Sequence, residues 1–127
     1  MPANPMAGAR CRILVVEDEY LVATHVATVL EDLGYEVVGL VPTVAEAMTV
    51  IASEKPDAVL LDANLGGVSS APIAAELAAQ ELPFVVVTGY GDLALGPAGS
   101  ALQAAPRISK PFSPAGLAAV LAKAMAA

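Results

Sequence analysis

Two adjacent acids, Glu17 and Asp18, a third acid at Asp62, a hydroxyl at Thr88 and an ammonium at Lys110 share one chemistry. Three carboxylates brought to one place repel one another unless a cation lies between them. Hard oxygen ligands suit Mg²⁺, which takes octahedral oxygen sites and keeps several of its waters. A carboxylate beside such a metal can attack a phosphorus centre, because the metal neutralises phosphoryl oxygens and aligns the donor. A hydroxyl and an ammonium alongside would bind the remaining oxygens. Asp62 is then the candidate nucleophile, and Thr88 and Lys110 are the candidate oxygen-binding pair. Taken singly, each has a plainer role: Asp62 as a loop-starting aspartate, Thr88 as a β-branched strand end, Lys110 as a surface cation. The chemical reading depends on whether the fold brings them together.

The elements that would do so are legible. Residues 11–16 (CRILVV) read as a buried strand, followed by a helix over 19–33 with Val22, Val26, Val29 and Leu33 on one stripe. Gly34 ends that helix. Residues 36–41 form a second strand. Thr43 opens the next helix, with Glu46 completing a capping box, and Lys55-Pro56 breaks it after about Glu54. Residues 58–62 (AVLLD) are the third strand, and the loop NLGGVS follows. Ser70 is placed to cap a helix with Pro72 in its first turn. Residues 84–88 (FVVVT) are the fourth strand, introduced by Pro83. Gly89, Gly91, Gly96, Pro97 and Gly99 make any helix within 89–105 short or frayed. Residues 107–109 are a short fifth strand, and Ser113-Pro114 starts the last helix.

Strands alternating with helices through short turns imply an α/β fold: a doubly wound, five-stranded parallel sheet sandwiched by helices. Ligands in such folds bind at the carboxyl ends of the strands. Strand one ends at Glu17-Asp18, strand three at Asp62 and strand four at Thr88, and Lys110 follows strand five. The joint placement, rather than any one residue, carries the chemical reading.

Composition narrows the function classes. The 127 residues suit one compact domain over 10–127, with 1–9 as a disordered tail. A content of 57% hydrophobic residues argues against disorder of the whole chain. A net charge of -7, with only 6 basic residues and no two adjacent, disfavours a nucleic-acid surface. No apolar run reaches the roughly 18 residues that a membrane span needs, and no signal-peptide core follows Arg10, so a cytoplasmic protein without a membrane partner is expected. The single Cys11 excludes an internal disulfide and reads as a half-buried hydrophobe.

The segments ILVVEDE (13–19), VLLDANL (59–65), VVVTGY (85–90) and SKPF (109–112) resemble the response-regulator receiver family in order and spacing over about residues 11–126. The resemblance implies the flavodoxin-like (βα)5 receiver fold of two-component signal transduction, with Asp62 as phosphoacceptor. Asp18 would bind Mg²⁺ directly, Glu17 through water, and Asn64 through its backbone carbonyl. Thr88 would turn inward to the phosphoryl group, Lys110 would pair with it, and the Lys110–Pro111 bond would be cis. A histidine kinase or histidine phosphotransfer protein is the implied donor, with an unknown downstream protein and dimerisation on phosphorylation left open.

Two departures bear on switching. Arg107 occupies the position where receivers usually carry an aromatic switch residue. Tyr90, two residues after Thr88, is similar instead to the subgroup with a Phe-Ala-Thr-Gly-type motif on strand four, although Val86-Val87 replaces Phe-Ala. Members of that subgroup are similar to partners of alphaproteobacterial histidine kinases, and many stand alone. Tyr90, Arg107 and Pro111 are therefore the candidate switch or output residues. His25, on the flank of the first helix's apolar stripe, is not read as a phosphorelay histidine, because such a histidine sits exposed on a helical bundle.

Three functions compete: a stand-alone signalling switch acting by protein–protein contact, a phosphorelay shuttle or phosphate sink, and a small aspartyl-phosphate phosphohydrolase. The hydrolase chemistry wants a second Asp two residues after the nucleophile as acid/base, and Asn64 cannot serve. The expectation is a non-enzyme whose only catalysis is its own phosphorylation and slow autodephosphorylation. A nucleotide-binding domain would need a Gly-rich loop after strand one, where EDEY stands instead.

Overall fold

A computed structural model describes residues 11–89 and 101–126. The expected tail 1–9, and Tyr90, Gly91, Gly96, Pro97 and Gly99, lie outside them. The chain runs β1 (Arg12–Val16), α1 (Tyr20–Asp32), β2 (Glu36–Val41), α2 (Val44–Glu54), β3 (Ala58–Asp62), β4 (Asn64–Leu65), β5 (Val68–Ser69), α3 (Ala71–Ala79), β6 (Phe84–Thr88), α4 (Ala101–Ala104), β7 (Arg107–Ser109) and α5 (Pro114–Met125). Five strands form one parallel sheet in the order β2-β1-β3-β6-β7.

Apart from Arg12, Asp62 and Thr88 at their ends, the central strands β1, β3 and β6 are apolar, because both faces are covered. Leu14, Val16, Val59, Leu61 and Val86 pack with Ala47 and Ile51 of α2, Ile73, Ala74 and Leu77 of α3, and Leu102 of α4. Ile13, Val15, Leu60, Val85 and Val87 face the other way, onto Ala23, Val26 and Leu30 of α1 and Leu117 and Leu121 of α5. Strand alternation thus feeds two cores, one per face.

Local signals set most boundaries. Gly34 (φ +96) closes α1 in a Schellman motif, its N–H donating to Glu31 O and that of Tyr35 to Leu30 O. Thr43 Oγ1 accepts from Glu46 N at 3.2 Å, and its hydroxyl donates to Glu46 Oε2 at 3.1 Å. The Glu46 side chain therefore meets the Thr43 hydroxyl. Ser113 Oγ accepts from Gly116 N at 3.0 Å, capping α5 with Pro114 in its first turn. Cys11 is half-buried, its Sγ 3.4 Å from Met125 Sδ.

Three local expectations are corrected. The buried stripe of α1 is Ala23, Val26, Val29 and Leu30. Leu33 is 37% exposed because the helix has already ended at Asp32. Ser70 stands at the N-cap of α3 as expected, but its side chain makes no capping bond: its buried hydroxyl donates to Ala63 O at 3.1 Å, and Ser69 Oγ instead accepts from Ala71 N at 3.1 Å. The stretch read as the loop NLGGVS contains the antiparallel pair β4–β5, joined by Gly66 (φ +63) and Gly67 (φ +91). Two consecutive positive φ values give the mirror-image turn that suits a two-residue hairpin.

Candidate functional site

The carboxyl ends of β1, β3, β6 and β7 lie side by side, since the parallel registers place Val16 beside Leu61, Asp62 beside Val87 and Thr88 beside Ser109. Glu17, Asp18, Asp62, Thr88 and Lys110 therefore arrive at one sheet edge. Glu17, Asp18 and Asp62 can each direct a carboxylate oxygen so that all three lie within 4.8 Å of one another. Glu17 and Asp62 are buried, and Asp18 is exposed. An open cleft of about 630 Å³ lies over them, lined by Asp18, Asp62, Asn64, Gly66, Lys110 and Pro111 among others.

Each buried acid has fixed partners. Asp62 Oδ2 accepts from Lys110 Nζ at 3.0 Å, and Asp62 Oδ1 accepts from Asn64 N at 3.1 Å. Glu17 Oε1 is also 3.0 Å from Lys110 Nζ, while Glu17 Oε2 accepts from Glu19 N at 3.2 Å. Lys110 thus does more than a surface cation would: it bridges two of the three acids. Its position follows from the backbone, where Lys110 N donates to Thr88 O at 2.8 Å. The Lys110–Pro111 bond is cis, as the resemblance implied.

Burial pushes the Glu17 carboxyl up to about 7, and the Asp62 charge adds to the push, against the hydrogen bonds from Lys110 and Glu19 N. Desolvation, more than carboxylate repulsion, is the dominant cause. Burial alone would lower the Lys110 ammonium, but its bonds to Asp62 and Glu17 raise it above the ordinary lysine value, so it stays charged.

The remaining candidates are placed as follows. Thr88 is half-buried, and its hydroxyl donates to Ile108 O at 3.5 Å. Arg107 is exposed at the start of β7, and Pro111 is exposed on the cleft wall. His25 is exposed on α1. Tyr90 lies outside the described residues. Sequence reasoning missed the Glu19 N–H that holds Glu17, and the Gly66-Gly67 turn whose backbone closes on Asp18. A Cβ on Gly66 would sit 3.4 Å from Asp18 Oδ2. The Gly-Gly pair between Leu65 and Val68 was the available signal.

Three hard oxygen donors in one cluster, two of them (Asp18 and Asp62) lining an open cleft, fit a small divalent cation that retains water. A buried carboxylate at a strand end, paired with a fixed ammonium and sharing its sheet edge with a hydroxyl, is a layout that suits phosphoryl transfer. Residues 13–122 match the response regulator receiver domain. The chain belongs to that family. In two-component systems the family is typically phosphorylated and binds Mg²⁺ in an acidic pocket, and its domains interact with histidine kinases or phosphotransfer proteins.

The chain is 34% identical over 122 residues to the phyllosphere-induced regulator PhyR of Methylorubrum extorquens, covering 94% of this chain and 45% of that protein. It is 32% identical over 103 residues to the transcriptional regulatory protein PdtaR of Mycobacterium tuberculosis, covering 80% of this chain and 50% of that one. The chain thus spans about half the length of these curated relatives. The solution structure of SdrG from Sphingomonas melonis Fr1 superposes with a TM-score of 0.80 at 40% identity, covering 94% of this chain and 98% of that one.

Proposed function

We propose that this receiver acts as a single-domain response regulator over residues 10–127, taking a phosphoryl group on Asp62 from a histidine kinase or phosphotransfer protein. The observation that carries the reading is the setting of Asp62: buried at the end of β3, between Lys110 and Asn64 N, and clustered with Glu17 and Asp18. Asp18, Glu17, Asp62 and the Asn64 carbonyl would hold Mg²⁺, which when bound neutralises phosphoryl oxygens and aligns the donor. An Asp62 carboxylate oxygen attacks phosphorus, forming the acyl-phosphate O–P bond as the donor's N–P bond breaks. The electron pair leaves on the donor imidazole, which is then protonated. Lys110 shifts from neutralising Asp62 to pairing with a phosphoryl oxygen, and Thr88 turns from Ile108 O to another.

The protein then signals by contact with a downstream protein from the cytoplasm, without nucleic acid or membrane as partner, and it is not otherwise an enzyme. Among the described residues no helix is long and apolar enough to cross a membrane. A shuttle or sink differs only in where the phosphate goes. A phosphotransfer time course against the purified histidine kinases and phosphotransfer proteins of the host tests the reading. Rapid labelling by one donor supports it, and no labelling by any donor contradicts it. A label that then passes back to a second histidine protein marks a shuttle.

A further inference from the structure

Asn64 makes two contacts that point in different directions. Its main-chain N–H donates to Asp62 Oδ1 at 3.1 Å, and its side-chain Oδ1 accepts from Gly67 N at 2.6 Å. The second bond spans the Gly66-Gly67 turn and closes it from inside, as an Asx side chain does. The turn in turn abuts the acid cluster, for the Cβ that Gly66 lacks would lie 3.4 Å from Asp18 Oδ2. Asn64 therefore meets Asp62 through its main chain and the turn through its exposed side chain, and the turn in its own right borders Asp18. The hairpin is only two residues per strand and is not paired with the main sheet; Leu65 anchors its base in the core, and the Asn64 side chain closes its tip.

We propose that Asn64 is a positioning residue: its side chain latches the Gly66-Gly67 turn, and through that turn it sets how tightly the Glu17–Asp18–Asp62 cluster holds Mg²⁺. The inference rests on the metal reading above. It concerns the side chain of Asn64, which is separate from the main-chain carbonyl offered as a ligand. Without the latch, the Gly66 backbone loses its fixed place against Asp18, and the Asn64 main chain loses its fixed angle to Asp62. Both changes loosen the oxygen cluster without removing any carboxylate.

The test is a Mg²⁺ titration of the full chain followed by two-dimensional amide NMR, reading Gly66 and Gly67, for wild type, Asn64→Ala and Asn64→Ser. Thermal melts in EDTA accompany it. The Ala variant binds Mg²⁺ roughly fivefold more weakly, the equivalent of one ordinary hydrogen bond. Its EDTA melting temperature falls only slightly, because water can replace the exposed bond, and its Gly67 amide signal moves in the metal-free spectrum. The Ser variant, whose hydroxyl can make the same turn bond more weakly, recovers part of the affinity. Wild-type affinity in Asn64→Ala overturns the proposal. So does an affinity loss matched by a much lower EDTA melting temperature and not relieved by Ser, which is a merely structural effect. A wild type that binds no Mg²⁺ overturns the metal reading as well, and that outcome is visible before any variant is compared.

Discussion

Lys110 and Asp62 are 48 residues apart in the chain, and Nζ of one lies 3.0 Å from Oδ2 of the other. The same ammonium lies 3.0 Å from Glu17 Oε1. A cluster of acids that would repel in isolation is therefore partly neutralised from inside the protein, and any cation entering the cleft competes with an existing ion pair.

Removing that ammonium should cost stability when no metal is present. Breaking a fully buried pair costs ~3–5 kcal/mol. The Lys110 side chain is 24% exposed, against 5% for each acid, which lowers the cost. Lys110→Met should lose about 2 kcal/mol in EDTA. Chemical unfolding with and without Mg²⁺ checks this, and Mg²⁺ should restore more stability to the variant than to wild type. An unaffected EDTA stability would mean that the ion pair contributes nothing.

The raised Glu17 carboxyl makes metal-free stability depend on pH in a stated direction. Its folded value of about 7 lies above the ordinary carboxyl value of 4.5, so the folded protein holds the proton more tightly than the unfolded chain. The stabilisation is fully present below about pH 4.5 and is lost as pH rises through about 7. Glu17→Gln should flatten the unfolding free energy across that window in EDTA. An unchanged slope would show that Glu17 titrates normally.

Asp18 is the exposed member of the cluster, with Gly66 close behind its Oδ2. Asp18→Asn removes a charge from beside two buried acids, so it should raise the melting temperature in EDTA while abolishing the shift produced by Mg²⁺. A variant that melts lower in EDTA, or responds to Mg²⁺ like wild type, contradicts this role.

Much of this arrangement could be read before the fold was seen. The bounds 58–62 and 84–88 were legible because parallel strands covered on both faces are continuous apolar runs between breakers, and the edge strands 36–41 and 107–109 were legible from the breakers and alternation around them. The candidate site was legible because Asp62 and Thr88 close such runs and Lys110 stands just past one. Partner choice was less legible. Ser70 looks like a cap, but the fold buries its hydroxyl against Ala63 O, and the neighbouring Ser69 takes the capping bond. Lys110 looks like a phosphate ligand, and only the tertiary fold shows that it bridges Glu17 and Asp62. The stripe on α1 was displaced because three valines and a leucine at helical spacing do not reveal where the sheet surface lies.

Phosphorylation should move the segment 89–112. Thr88 donates to Ile108 O at 3.5 Å, a long bond that is readily exchanged for one to a phosphoryl oxygen, and Lys110 would reach for the same group. The added charge and acceptor oxygens draw both chain segments inward. With Arg107 in the place of the usual aromatic, Tyr90 or loop ordering should carry the signal. Beryllofluoride should change hydrogen exchange across 89–105, and Thr88→Val should suppress the change. Protection changes confined to α1 would count against this output face.

The most direct test of the central claim is acyl-phosphate formation from a small phosphodonor or a histidine kinase, on wild type and Asp62→Asn, with Mg²⁺ and in EDTA. The account predicts one alkali-labile phosphoryl group on wild type with Mg²⁺, and none on the variant or in EDTA. Equal labelling of Asp62→Asn, or labelling of wild type that persists in EDTA, would contradict it.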